Sequence, residues 1–272
     1  MPSYLVTGVS RGIGFAFIRQ LSEDPEAVVI GLARNKTATE KKVSAEIGRS
    51  NIHILEADLV DYDSLKKAAE ETSKITGGSL DYLILNGAIM SHQDGFSTLS
   101  DMGEDGKALE EDLLSTYKTN VIGNVHVINL LLPLIRAGKV KKVISISSGH
   151  ADYDLARDYK IMNSSSYTMS KAAMNLAIVK YHAEWSSQGI LFMSISPGVV
   201  DTGHLDTAQL SEKEMSVLGG MIQKFQAYAP HWKGPITPEE SVKLVMGVIN
   251  NASVEGGDGG SFVSHFGTKN WL

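Results

Sequence analysis

An α/β fold is the class this sequence predicts: a doubly wound, seven-stranded parallel sheet of the Rossmann type, with helices on both faces and one domain over 1–272. Three observations carry it. Apolar runs of strand length alternate with helical patterns along nearly the whole chain, and strands separated by helices return as right-handed βαβ units. The first such run ends in a glycine-rich turn that opens a helix. No repeat, low-complexity linker or charged tail interrupts the alternation.

The elements follow in order. Tyr4-Leu5-Val6-Thr7 reads as the first strand, and the periodic stretch 11–22 as the helix after it. A strand over 27–32 precedes a charged helix ending near Ile47-Gly48. A strand over 52–55 precedes a helix over 62–76, stopped by Gly77-Gly78. After the strand 80–85, a polar loop is expected to about Gly106. A long periodic helix over 108–136 stops at Ala137-Gly138. The strand 140–147, the helix 165–187 and the strand 190–196 follow, the last ended by Pro197-Gly198. The stretch 202–235 contains no strand pattern and mixes Met, Leu and aromatic residues, as a substrate lid would. Thr237-Pro238-Glu239-Glu240 opens a helix with Thr237 as N-cap and Pro238 at its first position. Gly256-Gly257 and Gly259-Gly260 lead to a short final strand, 261–264.

Composition narrows the function classes. The 272 residues carry 25 Lys+Arg against 31 Asp+Glu, a formal net charge of −6, which argues against an electrostatic nucleic-acid binder. With 0 Cys, disulfide scaffolds, thiol nucleophiles and thiolate metal sites are excluded. The 8 His show no metal-ligand spacing, so no metal is expected. The first strand begins almost at Met1, no signal peptide is visible, and the richest apolar stretch, 127–135, is shorter than the ~20 residues of a membrane span. A cytoplasmic protein without a membrane or nucleic-acid partner is the expectation.

Gly is in excess at 26 residues, and three of them carry chemistry. The first strand runs into Thr7-Gly8-Val9-Ser10-Arg11-Gly12-Ile13-Gly14. Such a turn aims helix-start N–H groups at a dinucleotide pyrophosphate: Gly8 permits the turn, Gly12 admits the phosphate, and Gly14 lets the helix pack on the sheet. An acidic residue closing the second strand would bind the ribose 2′-hydroxyl of NAD; Ala33 stands there, followed by Arg34. With Arg11, two guanidiniums suit a 2′-phosphate, and NADP(H) is the expected cofactor. The alternative is that both arginines are simply solvated.

Tyr167-Thr168-Met169-Ser170-Lys171 places a phenol and an ammonium on one helix face, one turn apart. A phenol of pKa about 10 works as an acid or base near neutrality only beside a stabilising cation. A surface Tyr/Lys pair is the bland alternative. The motif opens the helix after Val143-Ile144-Ser145-Ile146-Ser147-Ser148-Gly149, at the sheet edge where α/β ligands bind.

Together these motifs resemble the short-chain dehydrogenase/reductase family. The resemblance implies catalytic roles for Asn120, Ser148, Tyr167 and Lys171, with Ser147 the second choice for the serine. It further implies that Asp58 and Leu59 meet the adenine, Asn86 and Gly87 the adenosine ribose, and Pro197, Gly198, Val200 and Thr202 the nicotinamide side, together with Asn120, Tyr167 and Lys171. Asp58 serves equally as a helix cap, the serines as turn residues, and Asn120 as an Asn packed between helices. Asn86-Gly87-Ala88-Ile89 departs from the usual Asn-Asn-Ala-Gly. The gap from Ser148 to Tyr167 is longer than the family's, which places a loop around 150–158 at the substrate mouth.

The opening Met-Pro-Ser-Tyr-Leu-Val-Thr-Gly and closing Gly-Gly-Ser-Phe-Val-Ser-His are similar to the sniffer-like and fungal ketoreductase branch. The implied activity is reduction of a ketone or aldehyde, or oxidation of a secondary alcohol, with a homodimer or homotetramer built on faces 121–135 and 174–181. A non-catalytic NADP(H)-binding regulator and a fold-sharing isomerase or cyclase are the rival classes. His150, His204 and His231 fall near the mouth or lid. Met215, Met221, Phe225, Tyr228 and Trp232 line an apolar pocket or merely pack the lid.

Overall fold

The computed structural model describes residues 1–203 and 207–272. Its strands are β1 (Ser3–Thr7), β2 (Val28–Ala33), β3 (Ile52–Glu56), β4 (Tyr82–Leu85), β5 (Lys142–Ile146), β6 (Leu191–Ser196) and β7 (Phe262–Ser264). They form one sheet in the order β3-β2-β1-β4-β5-β6-β7, every neighbouring pair parallel. Chain order reverses between β1 and β4, which opens a crevice at their C-terminal ends.

The helices are α1 (Gly12–Leu21), α2 (Lys36–Glu46), α3 (Tyr62–Thr76), α4 (His92–Phe96), α5 (Leu99–Met102), α6 (Gly106–Tyr117), α7 (Asn124–Ala137), α8 (Tyr153–Asp158), α9 (Ser165–Trp185), α10 (Glu212–Tyr228) and α11 (Pro238–Asn251). Side chains along a strand alternate between faces, so Val6 and Ile84 join Phe17, Val242 and Ile249 on one side of the sheet. Leu5 and Leu83 join Ile128, Leu131 and Met174 on the other. A sheet covered on both faces explains why its strands read as continuous apolar runs. The last helix begins as its sequence demands: Thr237 and Glu240 form a reciprocal capping box with Pro238 in the first turn.

Three expectations need correction. The loop expected up to Gly106 contains α4 and α5, each started by a hydroxyl cap, Ser91 and Thr98. The helix expected over 108–136 is two helices joined by a π-helical turn, Lys118–Gly123. The loop around 150–158 contains a 3₁₀ turn, Gly149–Ala151, and α8, whose cap is Asp152. Within 202–235 the main element is α10, begun by a Ser211–Glu214 capping box; His204 lies outside the described residues. By length and composition, Gly106–Ala137 suffices to cross a membrane, although 127–135 alone does not. Val127, Ile128, Leu131 and Ile135 are nevertheless buried in the core.

Candidate active site

The glycine turn sits at the crevice. Gly8 and Gly12 adopt positive φ, 72° and 54°, a region that a side chain disfavours. A Cβ on Gly14 would stand 2.2 Å from the Gly8 carbonyl oxygen, so the start of α1 rests directly on the turn. Arg11 is the N-cap of α1, has no side-chain capping bond, and no acid occupies the first turn. The first N–H groups therefore carry positive potential, and the first turn of α1 contributes no anion to quench it. Among the described residues, a Cβ on Gly12 would meet only the Thr202 side chain, at 3.2 Å. That open, uncapped cradle fits a dinucleotide pyrophosphate, with the amides around Ser10 to Ile13 as donors and Thr202 facing them.

Asn86 and Gly87 act as braces beneath this turn. Asn86 Nδ2 donates to the Thr7 and Gly8 carbonyls at 3.0 and 3.2 Å. The Gly87 N–H donates to Thr7 Oγ1 at 2.8 Å, and its carbonyl accepts from Asn124 Nδ2 at 3.3 Å. Gly87 also leaves room for Gly8, whose Cβ would lie 2.7 Å from the Gly87 Cα.

At the end of β2 Ala33 is buried, while Arg34 beside it and Arg11 in the glycine turn are exposed. Asp58 is not the cap of α3, because Asp61 takes that place; the Asp58 carboxylate accepts from the Val60 N–H at 3.1 Å. Leu59 packs against Gly87 and Gly123, neither of which has room for a Cβ beside it. Beyond the end of β6, the Pro197 carbonyl accepts from Ser241 Oγ at 2.7 Å. Gly198 has φ 85° and lies against the His265 ring. Val200 bridges to Ile236, which fixes the direction of the chain entering Thr202.

Asn120, Ser148, Tyr167 and Lys171 converge at the same edge. Lys171 Nζ donates to the Ile146 carbonyl, the last residue of β5, at 2.6 Å. It lies 5.5 Å from the centre of the Tyr167 ring. Burial lowers the Lys171 ammonium to about 8. Burial also pushes the Tyr167 phenol up to about 12, against the pull of a hydrogen bond with Ser148. The two candidate serines part company here: Ser147 Oγ donates to Asn175 Oδ1 at 2.7 Å, while Ser148 meets Tyr167.

Asn120 explains the π turn. Its Oδ1 accepts from the Ile89 N–H and its Nδ2 donates to the Ile89 carbonyl, both at 2.8 Å. Nδ2 also donates to Ser170 Oγ at 3.0 Å. The Asn120 carbonyl accepts from Asn124 Nδ2 at 2.9 Å. A side chain clamped this way holds the extra residue in the helix.

Around the mouth, the His150 ring packs on Phe225 at 5.7 Å, and Phe225 on Trp232 at 5.5 Å. Burial lowers the His150 imidazole to about 4, so it is neutral near pH 7. Tyr228 instead secures the end of the chain, donating to the Lys269 carbonyl and accepting from the Trp271 N–H, both at 3.1 Å. Met215 and His231 are exposed, and Met221 is half-buried. Ile89, the partner of Asn120, and Asp94, whose carboxylate meets the start of α9, are not marked as site residues by the sequence. No local pattern announces either contact.

The family profile described as short chain dehydrogenase matches residues 3–213. The chain belongs to the short-chain dehydrogenase family. This short-chain dehydrogenase is 54% identical over 273 residues to "Short chain dehydrogenase virK" of Hypocrea virens, each chain covered completely. It is 46% identical over 274 residues to "Short-chain dehydrogenase/reductase iacC" of Pestalotiopsis fici, again with 100% of each covered. Among solved structures it resembles an NADPH-bound carbonyl reductase from chicken fatty liver, with TM-score 0.76, 23% identity and 98% of each chain covered. The carbonyl reductase Sniffer of D. melanogaster also gives TM-score 0.76, at 22% identity and with 98% of each chain covered. At such identities the structural likeness speaks for the fold. Family membership makes the protein an oxidoreductase of a group that uses nicotinamide cofactors.

Proposed function

We propose that this short-chain dehydrogenase is an NADP(H)-dependent reductase of a small ketone or aldehyde. The observation carrying the proposal is a phenol bonded to Ser148, one turn from a buried ammonium, across the crevice from an uncapped glycine turn. A bound reduced nicotinamide would supply the hydride. The Tyr167 hydroxyl, protonated at neutral pH because its pKa is raised, gives its proton to the carbonyl oxygen as that oxygen gains charge. Ser148 donates a hydrogen bond to the same oxygen and orients it. Lys171, anchored on Ile146, stabilises the phenolate left behind and would hold the nicotinamide ribose of a bound cofactor. The Asn120 main-chain carbonyl, which also accepts from Asn124 Nδ2, would hold a water that returns a proton to Lys171 and Tyr167.

NADP(H) rather than NAD(H) is supported by what surrounds the end of β2. Ala33 offers no carboxylate to a ribose hydroxyl, and the exposed Arg11 and Arg34 suit a 2′-phosphate. The chicken carbonyl reductase with NADPH bound is a neighbour in fold. The segment 202–235 would act as the substrate lid, its Phe225 ring packed on His150 and on Trp232. A homodimer or homotetramer would cover Leu114, Ile122, Leu176 and Val179, apolar side chains left exposed on α6, the π turn and α9.

Incubating the purified chain with NADPH or NADH and a panel of aldehydes, ketones and quinones tests the proposal. NADPH oxidation that depends on a carbonyl compound, with the alcohol as product, is the expected result. NADPH binding with no oxidation across the panel favours a regulator, and conversion without net cofactor consumption favours an isomerase or cyclase.

A further inference from the structure

The helix that carries Tyr167 and Lys171 is not capped by its own sequence. α9 is 21 residues long, and its N-cap, Ser164, lies in the left-handed region at φ 58° with no side-chain capping bond. The hydroxyl that usually closes the first N–H groups of a helix is thus turned away. Asp94, in α4, takes over. Its Oδ1 accepts from the Ser166 N–H at 2.9 Å and its Oδ2 from the Tyr167 N–H at 3.0 Å. Its main-chain carbonyl accepts from the Ser164 N–H at 2.7 Å.

Asp94 is 0% exposed. A buried carboxylate is tolerated only where donors replace water, and the positive end of a long helix supplies both donors and potential. Burial pushes its carboxyl up, assisted by Asp112 on α6, while the α9 amides pull the other way. Asp94 is itself fixed: its N–H donates to Ser91 Oγ at 3.0 Å, and Asn163 Nδ2 donates to the neighbouring Gly95 carbonyl at 2.6 Å. The same connection grips Asn120 through Ile89 and braces the glycine turn through Asn86.

We propose that Asp94 is a positioning residue: by closing the start of α9 from 73 residues upstream, it fixes where the Tyr167 hydroxyl stands relative to Ser148. The inference rests on the reductase proposal for what that hydroxyl does. Without the carboxylate, the first turn of α9 loses its acceptors and frays, and the phenol at its third position loses its fixed place. Misplacement of about 1 Å at a reacting group costs up to about 100-fold in rate.

Wild type, Asp94→Asn and Asp94→Ala decide the matter in two measurements. The first is amide hydrogen exchange in the purified chain. The second is steady-state NADPH oxidation with 9,10-phenanthrenequinone as the carbonyl probe. Asp94→Ala is expected to lose protection at 164–170 by about tenfold or more while the strands keep theirs. Its kcat is expected to fall about 10- to 100-fold, with KM and the NADPH dissociation constant within about threefold of wild type. Asp94→Asn, which keeps acceptor oxygen without charge, recovers part of both losses, and carries the same comparison with wild type if Asp94→Ala does not fold.

Unchanged protection and kcat in both variants overturn the proposal. So does a loss of protection throughout the sheet with kcat and KM changing together, which marks a loosened fold. A wild-type chain that oxidises no NADPH overturns the reductase proposal instead; exchange confined to 164–170 then upholds the cap, and unaltered exchange removes it.

Discussion

Replacing Gly14 with Ala drives a methyl group into the contact between α1 and the glycine turn. The new Cβ would lie 2.2 Å from the Gly8 oxygen, 2.6 Å from Asn86 Nδ2 and 2.9 Å from the Gly8 carbonyl carbon. Ordinary non-bonded contacts begin near 3.5 Å, so helix and turn must separate by about 1 Å. Asn86 can swing aside, but Gly8 is main chain held to the Leu32 carbonyl through its own N–H at 2.9 Å. Overpacking of this kind costs about 1–3 kcal/mol, which lowers the folding constant about 5- to 150-fold. Moving the first amides of α1 also weakens NADPH binding, by about tenfold or more. Gly219→Ala is the matched control, since no described residue lies within 4 Å of its Cβ and it sits inside α10; it should gain about 0.5–1 kcal/mol. Urea unfolding followed by Trp fluorescence, with a fluorescence titration of NADPH, reads both effects. A Gly14→Ala chain within about 0.5 kcal/mol of wild type, binding NADPH equally well, would refute the close-packed turn.

Further outcomes are expected elsewhere. Lys171 has a folded pKa of about 8 against 10.5 for a free lysine, so between those values the unfolded chain binds the extra proton. Wild type therefore gains stability relative to Lys171→Met as pH rises from about 8 to about 10.5, by about 3 kcal/mol in total. Unfolding free energies of both proteins across that window check it, and a constant difference contradicts it. Arg34→Ala should weaken NADPH about 10- to 100-fold, the worth of a charge-assisted hydrogen bond pair, while NADH changes by less than about threefold. Titration of each cofactor reads the difference, and equal losses would sever Arg34 from the 2′-phosphate.

Much of this molecule was legible in its sequence for a physical reason. A parallel sheet covered on both faces needs apolar strands, and Leu5-Val6 or Leu83-Ile84 announce one face each. Thr237-Pro238-Glu239-Glu240 announced its helix because a capping box is a contact between near neighbours. The π turn at 118–123 stayed hidden because an apolar period runs unbroken through it; what holds the extra residue is Ile89, 31 positions away. Short α4 and α5 were lost in a polar stretch, although Thr98 and Asp101 form a local capping box. Asp94 gave no signal at all, since its partners are amides that every sequence possesses. Tyr167 and Lys171 were visible because one helical turn joins them, and Ser148 because strand ends align at a sheet edge.

In the proposed carbonyl reduction, the Tyr167 hydroxyl delivers the proton. Tyr167→Phe removes one oxygen and leaves the ring, Lys171 and the glycine turn in place. NADPH oxidation with the best carbonyl substrate of the panel, measured beside NADPH binding, tests it most directly. Turnover is expected to fall about 100- to 10,000-fold, the usual worth of a general acid, with the NADPH dissociation constant within about threefold of wild type. A Tyr167→Phe chain that oxidises NADPH at the wild-type rate contradicts it.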